Sequence, residues 1–277
     1  MDNSPASDGS QPQQQVISLQ NISQNFLGAI QRQFDLLAFN LAAIQQATAE
    51  QYEAFARQTK LMPVAQIHQN FEQTQAYARS LLFRQTVNDL ASMASACMDN
   101  CHLLGQLVKN QALAKTSQEE ANNAVAEAHR AFVQSPLNEK FELLERDFGI
   151  MCGTEDAIIA IAIGLRVLAL RNGTITEEDV NEDGELVFEF KTVQVINPPS
   201  NATEQKPEVR IADTRRTFRV GDRLELANSE LLGLSITVTA FFHDLFRAVD
   251  EYGVRTVGVA GDGGAAGAAG AGAAGQV

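Results

Sequence analysis

Residues 19–44 read LQNISQNFLGAIQRQFDLLAFNLAAI, and this stretch sets the class of structure that the chain can adopt. Its large apolar side chains recur every three or four residues, at Leu19, Ile22, Phe26, Ile30, Phe34, Leu37, Leu41 and Ile44. That spacing places them on one stripe of an α-helix. The opposite face is rich in Gln and Asn and carries few of the alternating charges that select partners in long coiled coils. The stretch therefore predicts an amphipathic helix in an intramolecular bundle.

A second long helix is predicted to begin at Met62-Pro63. Proline disfavours helix in the residue before it and suits the first turn of the helix that follows. The apolar stripe then continues to Val108, over roughly 45 residues, or about 65–70 Å at 1.5 Å per residue. The two long segments together predict a pair of antiparallel helices in the N-terminal half.

Shorter helices are predicted downstream from their start and stop signals. Ser117 and Glu120 have the spacing of a capping box for a helix that runs to about Phe132. After Ser135-Pro136 a new apolar stripe begins at Leu137 and ends at Gly149. The next predicted helix is capped by Thr154 and runs from Glu155 to about Arg171. A final long helix is capped by Asn228 or Ser229, and its apolar stripe continues to Val249.

Strands are predicted only after Gly173, where β-branched and aromatic residues become frequent. The first candidates are 186–190 and 193–196. A second candidate pair, 218–220 and 223–226, is joined by Gly221-Asp222 as a turn. The expected fold is therefore mainly α: a multi-helix bundle with a small β-hairpin insertion at about 174–226.

The chain divides by composition into four regions. We expect a disordered leader over 1–15, a long-helix bundle over 16–135, a second helical region over 136–256 and a disordered Gly/Ala tail over 257–277. The tail carries too little side chain to offset the entropy of ordering it. The leader lacks the basic and apolar segments of a secretory signal, so we expect a cytoplasmic protein whose cysteines stay reduced.

The charge balance argues against a nucleic-acid surface, although a local basic groove remains open. The net charge is −13, whereas affinity for nucleic acid comes largely from Lys and Arg. Five arginines nevertheless fall close together between Arg210 and Arg223, and we interpret them as a solvated strand or loop face in preference to an anion site. The longest apolar run, 157–170, is too short to cross a bilayer and contains Arg166, so it predicts a buried helix and no transmembrane segment.

Two groups of residues resemble metal sites. Cys97 and Cys101 are four apart on one helical face, but both lie on the apolar stripe, which favours core packing. Asp179, Asn181 and Asp183 match the first half of a calcium loop. The twelfth position of that loop, where a bidentate carboxylate belongs, holds Phe190, so these three are only weak calcium candidates and a hairpin turn is favoured. No cofactor or metal is predicted.

One segment, from Leu137 to Gly253, resembles a known family. It carries FELLERDFGI (141–150), LRVLALRNG (165–173) and VGDRLEL (220–226) before a closing amphipathic helix. This order is similar to that of HEPN (higher eukaryotes and prokaryotes nucleotide-binding) domains. The resemblance implies a helical bundle, often dimeric, of a kind that frequently cleaves RNA.

The catalytic motif of that family is degenerate here. The family's active members carry an arginine and a polar residue, followed four to six residues later by a histidine. Arg166 matches the arginine, but Val167 replaces the polar residue and Arg171 stands where the histidine belongs. Arg166 and Arg171 are therefore weak catalytic candidates, and the resemblance implies the scaffold without its general acid/base group.

Three functions follow as hypotheses. The first is a non-catalytic helical-bundle protein that associates with a protein partner or with itself. The alternatives are an RNA-cleaving HEPN relative that uses Arg166 and Arg171 in an altered site, and a helical protein of a membrane or granule surface.

Overall fold

The computed structural model describes residues 17–59, 70–112, 117–196 and 208–262, and the predicted mainly helical bundle with a β-hairpin is confirmed. The elements of these residues, in chain order, are α1 (Leu19–Gln46), α2 (Ala49–Thr59), α3 (Phe71–Ala112), α4 (Gln118–Gln134), α5 (Leu137–Phe148), α6 (Glu155–Leu170), β1 (Glu185–Ile196), β2 (Glu208–Arg219) and α7 (Asn228–Asp262). A single 3-10 turn, Glu177–Asp179, separates α6 from β1.

Three long helices, α1, α3 and α7, form the centre of the molecule. The side-chain amide of Gln75 donates to the carbonyl of Ile44 at 2.6 Å, so the start of α3 lies beside the end of α1. Arg79 donates to the side chain of Asn228 at 2.9 Å, which places the start of α7 there as well. Therefore α3 and α7 run in the same direction and α1 runs antiparallel to both.

α1 ends at Gln46, well before the helix start predicted at Met62-Pro63, and the sequence analysis did not predict α2. Thr48 and Gln51 form a reciprocal cap in which each side chain accepts the backbone N–H of the other, at 3.3 and 3.2 Å. This cap starts a new helix directly after the extended residue Ala47. The predicted helix start at Met62-Pro63 lies outside the described residues.

The predicted helix ends are confirmed in most places. The capping box of Ser117 and Glu120 is present, and α5 ends at Gly149 in the left-handed conformation. Thr154 precedes α6, but its side chain makes no capping hydrogen bond. Neither Asn228 nor Ser229 precedes α7, which begins at Asn228, and the carboxylate of Glu230 accepts the N–H of Ala227 at 2.7 Å.

The hairpin differs from the predicted one. β1 is a single strand, and it pairs antiparallel with β2 from Glu185 opposite Arg219 to Ile196 opposite Glu208. The predicted pairing of 218–220 with 223–226 is wrong, because β2 ends at Arg219 and Arg223 forms only an isolated bridge to Thr174. Residues 197–207, between the two strands, lie outside the described residues.

One hydrophobic core, from Ile22 in α1 to Tyr252 in α7, draws side chains from both strands and from every described α-helix except α2. The inward side chains of β1, among them Phe188 and Phe190, pack into the same core as the helices. Residues of both predicted regions, 16–135 and 136–256, contribute to this core. α7 continues to Asp262, past the predicted tail boundary at 257, and the predicted leader and the rest of the tail lie outside the described residues.

Two apolar helices bear on the membrane hypothesis. The run 157–170 lies in α6, as predicted for a helix, and most of its apolar side chains are buried or half-buried, whereas Leu170 at its end is exposed. Among the described helices, only the stretch Asn228–Val257 of α7 is long and apolar enough to cross a membrane by length and composition. Within that stretch, 56% of an apolar 18-residue window is buried inside the protein, as in the core helix of a water-soluble bundle.

Candidate functional site

The two weak catalytic candidates, Arg166 and Arg171, converge on one acidic segment. They lie at the C-terminal end of α6, and the 3-10 turn that follows brings Glu178 and Asp179 back against them. Arg166 Nη2 donates to the backbone carbonyl of Glu178 at 2.8 Å and to Asp179 Oδ1 at 2.9 Å. Arg171 donates to Asp179 Oδ2 and to the carboxylate of Glu178.

Asp179 is the centre of this network. Its side chain has no exposed surface, and it also accepts the N–H and the hydroxyl of Thr176, at 3.0 and 2.8 Å. Burial raises the pKa of Asp179, but the hydrogen bonds from Thr176, Arg171 and Arg166 outweigh burial and hold the pKa below its ordinary value. The carboxylate is therefore ionised at neutral pH and is a weak base for proton transfer. The network fastens the end of α6 to the turn that leads into β1.

The calcium candidates are used for other contacts. Asp179 accepts hydrogen bonds from Arg166 and Arg171. Asn181 Oδ1 accepts the N–H groups of Asp183 and Glu185 at 3.1 and 3.0 Å. Gly184, with a φ of 74°, completes the turn into β1. Across residues 17–59, 70–112, 117–196 and 208–262, no group of three His, Cys, Asp or Glu side chains is placed to hold a metal ion.

The arginines between 210 and 223 lie on β2 and just after it, in agreement with their interpretation as a strand or loop face. Three of them contact carboxylates, and Arg216 also stacks over Phe218 with 5.6 Å between its guanidinium carbon and the ring centroid. The carboxylate pairs are Arg219 with Glu185 at 3.3 Å, Arg216 with Glu230 at 3.5 Å, and Arg223 with Glu225 at 4.0 Å. These contacts neutralise much of the local positive charge.

A buried polar cluster lies where α5 meets α3, and sequence reasoning did not find it. Lys140, only 3% exposed, donates from Nζ to Ser95 Oγ at 2.8 Å and to Asp99 Oδ1 at 2.7 Å. The sequence did contain a signal, because Lys140 occupies an apolar stripe position between Leu137 and Leu144. A charged residue on such a stripe is normally buried only when it is paired.

His102 lies beside this cluster, and only one of its two ring nitrogens has a hydrogen-bond partner within the described residues. Its ring stacks on Phe132 with centroids 4.0 Å apart, and Nε2 lies 3.3 Å from the side-chain nitrogen of Gln106. Nδ1 is buried without a partner in the described part of the chain. Burial, followed by the nearby His129, lowers the pKa of His102 to about 4. The ring is therefore neutral over the physiological range.

The cysteines are core residues, as the stripe predicted for Cys97 and Cys101. Both are buried free thiols, and so is Cys152. Burial raises the pKa of Cys97 far above its ordinary value and raises the pKa of Cys152 to about 12. Because only the thiolate is a good nucleophile or metal ligand, neither group is prepared for such chemistry.

An apolar groove opens at the end of the bundle where α1 begins and α3 and α7 end. It encloses about 510 Å³, and its main apolar lining consists of Leu19, Leu104, Val108, Val249, Tyr252, Val254 and Val257. Val254 and Val257 are 68% and 65% exposed. Sequence reasoning missed the groove because the stripe of α7 was followed only to Val249. The apolar spacing of Val254 and Val257 was the available signal.

No family model matches the chain, and no curated protein or solved structure is significantly similar to it.

Proposed function

We propose that this chain is a non-catalytic helical-bundle protein that acts in the cytoplasm by binding a protein partner. The observation that carries the proposal is the apolar groove at the end of the bundle. Val254 and Val257 belong to a core helix, yet each leaves about two thirds of its surface in water. Exposed apolar side chains gathered around a concave surface are typical of sites that bind another macromolecule.

The lining of the groove favours a helical segment of a partner. Three helices contribute apolar side chains, and the ionisable lining groups are Asp250 and the phenol of Tyr252. A small-molecule site normally adds several convergent polar groups that orient the ligand. A groove between helices instead suits the apolar face of an amphipathic helix, which places anchors three and four residues apart.

The state of the titratable groups also favours binding over catalysis. The carboxylate beside Arg166 and Arg171 has a lowered pKa, and the pKa values of the thiols of Cys97 and Cys152 are raised. These are the wrong directions for a general base and for a nucleophile at neutral pH.

One observation favours a second candidate, the RNA-cleaving HEPN relative. Arg166 and Arg171 are brought together, as an altered site would require, and the side chain of Arg166 is 44% exposed. Such a site would have to bind phosphate through arginine donors that now contact Asp179. We therefore rank it below the binding function.

Site-specific photo-crosslinking in the source cells tests the proposal. A photoreactive phenylalanine analogue at position 257 should capture a discrete partner, and Val254→Asp in the same chain should abolish the capture. Val220→Asp is the matched control, because Val220 is an exposed valine outside the groove, and the capture should survive it. A captured species that Val254→Asp leaves unchanged, or no discrete species, would refute the groove as the binding site.

A further inference from the structure

The two outer edges of the β-hairpin are treated differently by the fold. The edge of β1 is covered, since the N–H of Lys191 donates to Thr237 Oγ1 of α7 at 2.8 Å. α7 approaches so closely because residue 233 is glycine, and a Cβ there would lie 2.8 Å from the carbonyl oxygen of Lys191. At the start of β1, the N–H and C=O of Glu185 both bond to Asn181, at 3.0 Å each.

In the part of the chain that the structure describes, the outer edge of β2 is unpaired. In an antiparallel pair, the N–H and C=O of a residue point to the same side, and the side alternates along the strand. The backbone N–H and C=O of Lys191 point away from β2, so those of its partner Asp213 point away from β1. The same holds for every second residue of β2, namely Ile211, Arg215 and Thr217. Within the described residues, no hydrogen bond reaches the backbone groups of these four positions.

We propose that the open edge of β2 pairs with β2 of a second copy of this chain. The two hairpins then form a four-stranded antiparallel sheet around a twofold axis at Thr214. An unpaired strand edge is a template for another strand, and a closed twofold dimer satisfies both edges at once. This surface is separate from the apolar groove, so the inference goes beyond the proposed function.

Among pairings of β2 with the partner's β2 whose twofold axis lies at Asp213, Thr214 or Arg215, the charges of β2 favour the axis at Thr214. With the axis at Thr214, Asp213 faces the partner's Arg215, and Arg215 faces the partner's Asp213. An axis at Asp213 would oppose two aspartates, and an axis at Arg215 would oppose two arginines. Like charges directly opposite each other destabilise a sheet, whereas opposite charges stabilise it.

The hairpin itself extends this complementarity. Glu189 lies opposite Arg215 within the hairpin, and Lys191 lies opposite Asp213 with an ion pair of 2.9 Å. Across four strands the outer face would therefore read Glu189, Arg215, the partner's Asp213 and the partner's Lys191. Negative and positive charges alternate along the whole row, which makes a second copy of this chain the fitting occupant of the edge.

Sedimentation velocity of the full chain across a range of concentrations tests the proposal. The wild type should dimerise, and Asp213→Arg or Arg215→Asp alone should each raise the dimer dissociation constant by about tenfold or more, because each places two like-charged pairs in the interface. Mixing the two variants should restore dimerisation, since the arginine introduced by Asp213→Arg in one chain then faces the aspartate introduced by Arg215→Asp in the other. Circular dichroism confirms that each variant keeps its helices.

Controls separate the interface from effects within one chain. Lys191→Gln removes the same intrachain ion pair as Asp213→Arg but leaves the central charges, so its dissociation constant should stay within about threefold of the wild type. Val254→Asp should leave the dimer intact, which distinguishes this interface from the groove. A wild type that is monomeric throughout, single variants that dimerise normally, or a mixture no tighter than its components would each overturn the proposal.

Discussion

Replacing His102 with phenylalanine should make folding less sensitive to mild acid. His102 is 2% exposed and stacks on Phe132, and the edge of its ring also faces Phe148 with centroids 5.5 Å apart. A phenylalanine ring has a similar shape and suits these contacts. It removes a buried group that the unfolded chain protonates more readily than the folded protein does.

The size of the effect follows from the two pKa values of His102. The pKa is about 4 in the folded protein, against 6.5 for an unperturbed histidine. The folded value is the lower one, so the unfolded chain binds the proton first and stability falls as the pH drops from about 6.5 to about 4. Because each pKa unit corresponds to about 1.4 kcal/mol, acidification from about pH 7 to about pH 4.5 costs roughly 2 kcal/mol through this residue.

Other ionisable groups around His102 also affect how stability responds to acid. Lys109 and Lys140 lower the pKa of His102, whereas Asp147 raises it, and none of these changes in the variant. Burial also lowers the pKa of the neighbouring His129, which will retain some acid sensitivity. The variant should therefore lose part of the acid response and not all of it.

Urea unfolding at the two pH values measures the difference. The loss of unfolding free energy on acidification should be about 2 kcal/mol smaller for His102→Phe than for the wild type. His243→Gln is the control, because it removes an exposed histidine, and it should lose as much as the wild type. Equal acid losses for His102→Phe and the wild type would refute the assignment of the buried neutral ring.

Three further predictions concern the arginine network, the docking of the hairpin and the alternative activity. Asp179→Asn should lower the unfolding free energy by about 2 kcal/mol or more in urea at neutral pH, because it leaves two arginines facing a neutral group, whereas Asp183→Asn at an exposed position should have little effect. Gly233→Ala should cost about 1–3 kcal/mol in thermal unfolding because its Cβ meets backbone, whereas Gly253→Ala has open space and should be neutral or stabilising. Labelled RNA should remain intact with the wild type, and cleavage that disappears in Arg166→Ala would instead favour the HEPN-type activity.

The helices were predictable because their apolar residues keep a helical period over many turns. The missed helix α2 shows the limit of periodicity. The helix starts at the capping pair Thr48 and Gln51. Both residues are polar, so they do not alter the spacing of the apolar residues. A search for reciprocal caps would have found it, whereas periodicity could not.

β1 was predicted as two candidates, 186–190 and 193–196, whereas only the end of β2 was predicted, within 218–220. Over 186–190 of β1, every second side chain is apolar and faces the core, which is the usual signal of a strand. The side chains of β2 on that same face are Phe218, Arg216, Thr214 and Ala212. Such a strand has no apolar alternation, so most of β2 carries no strand signal in the sequence. Its position is set by pairing with β1, which is a tertiary effect.

The candidate site was predictable in its members but not in its contacts. Arg166 and Arg171 were selected by resemblance and Asp179 by its loop spacing, and the structure joins them in one network. Nothing in the sequence says that the turn after α6 returns Asp179 to the end of the same helix. The calcium interpretation treated as a ligand a carboxylate that two arginines already hold.

The two proposed surfaces are compatible because they lie near opposite ends of α7. The hairpin contacts α7 at Gly233 and Thr237, whereas the groove is lined from Val249 to Val257. The stretch of α7 from Thr237 to Val254 spans about 25 Å of helix at 1.5 Å per residue. A dimer formed through β2 would therefore present two apolar grooves, each at a distance from the shared sheet. Two linked sites bind a partner that carries two copies of its helix far more tightly than one site does, because the second contact forms within the same complex.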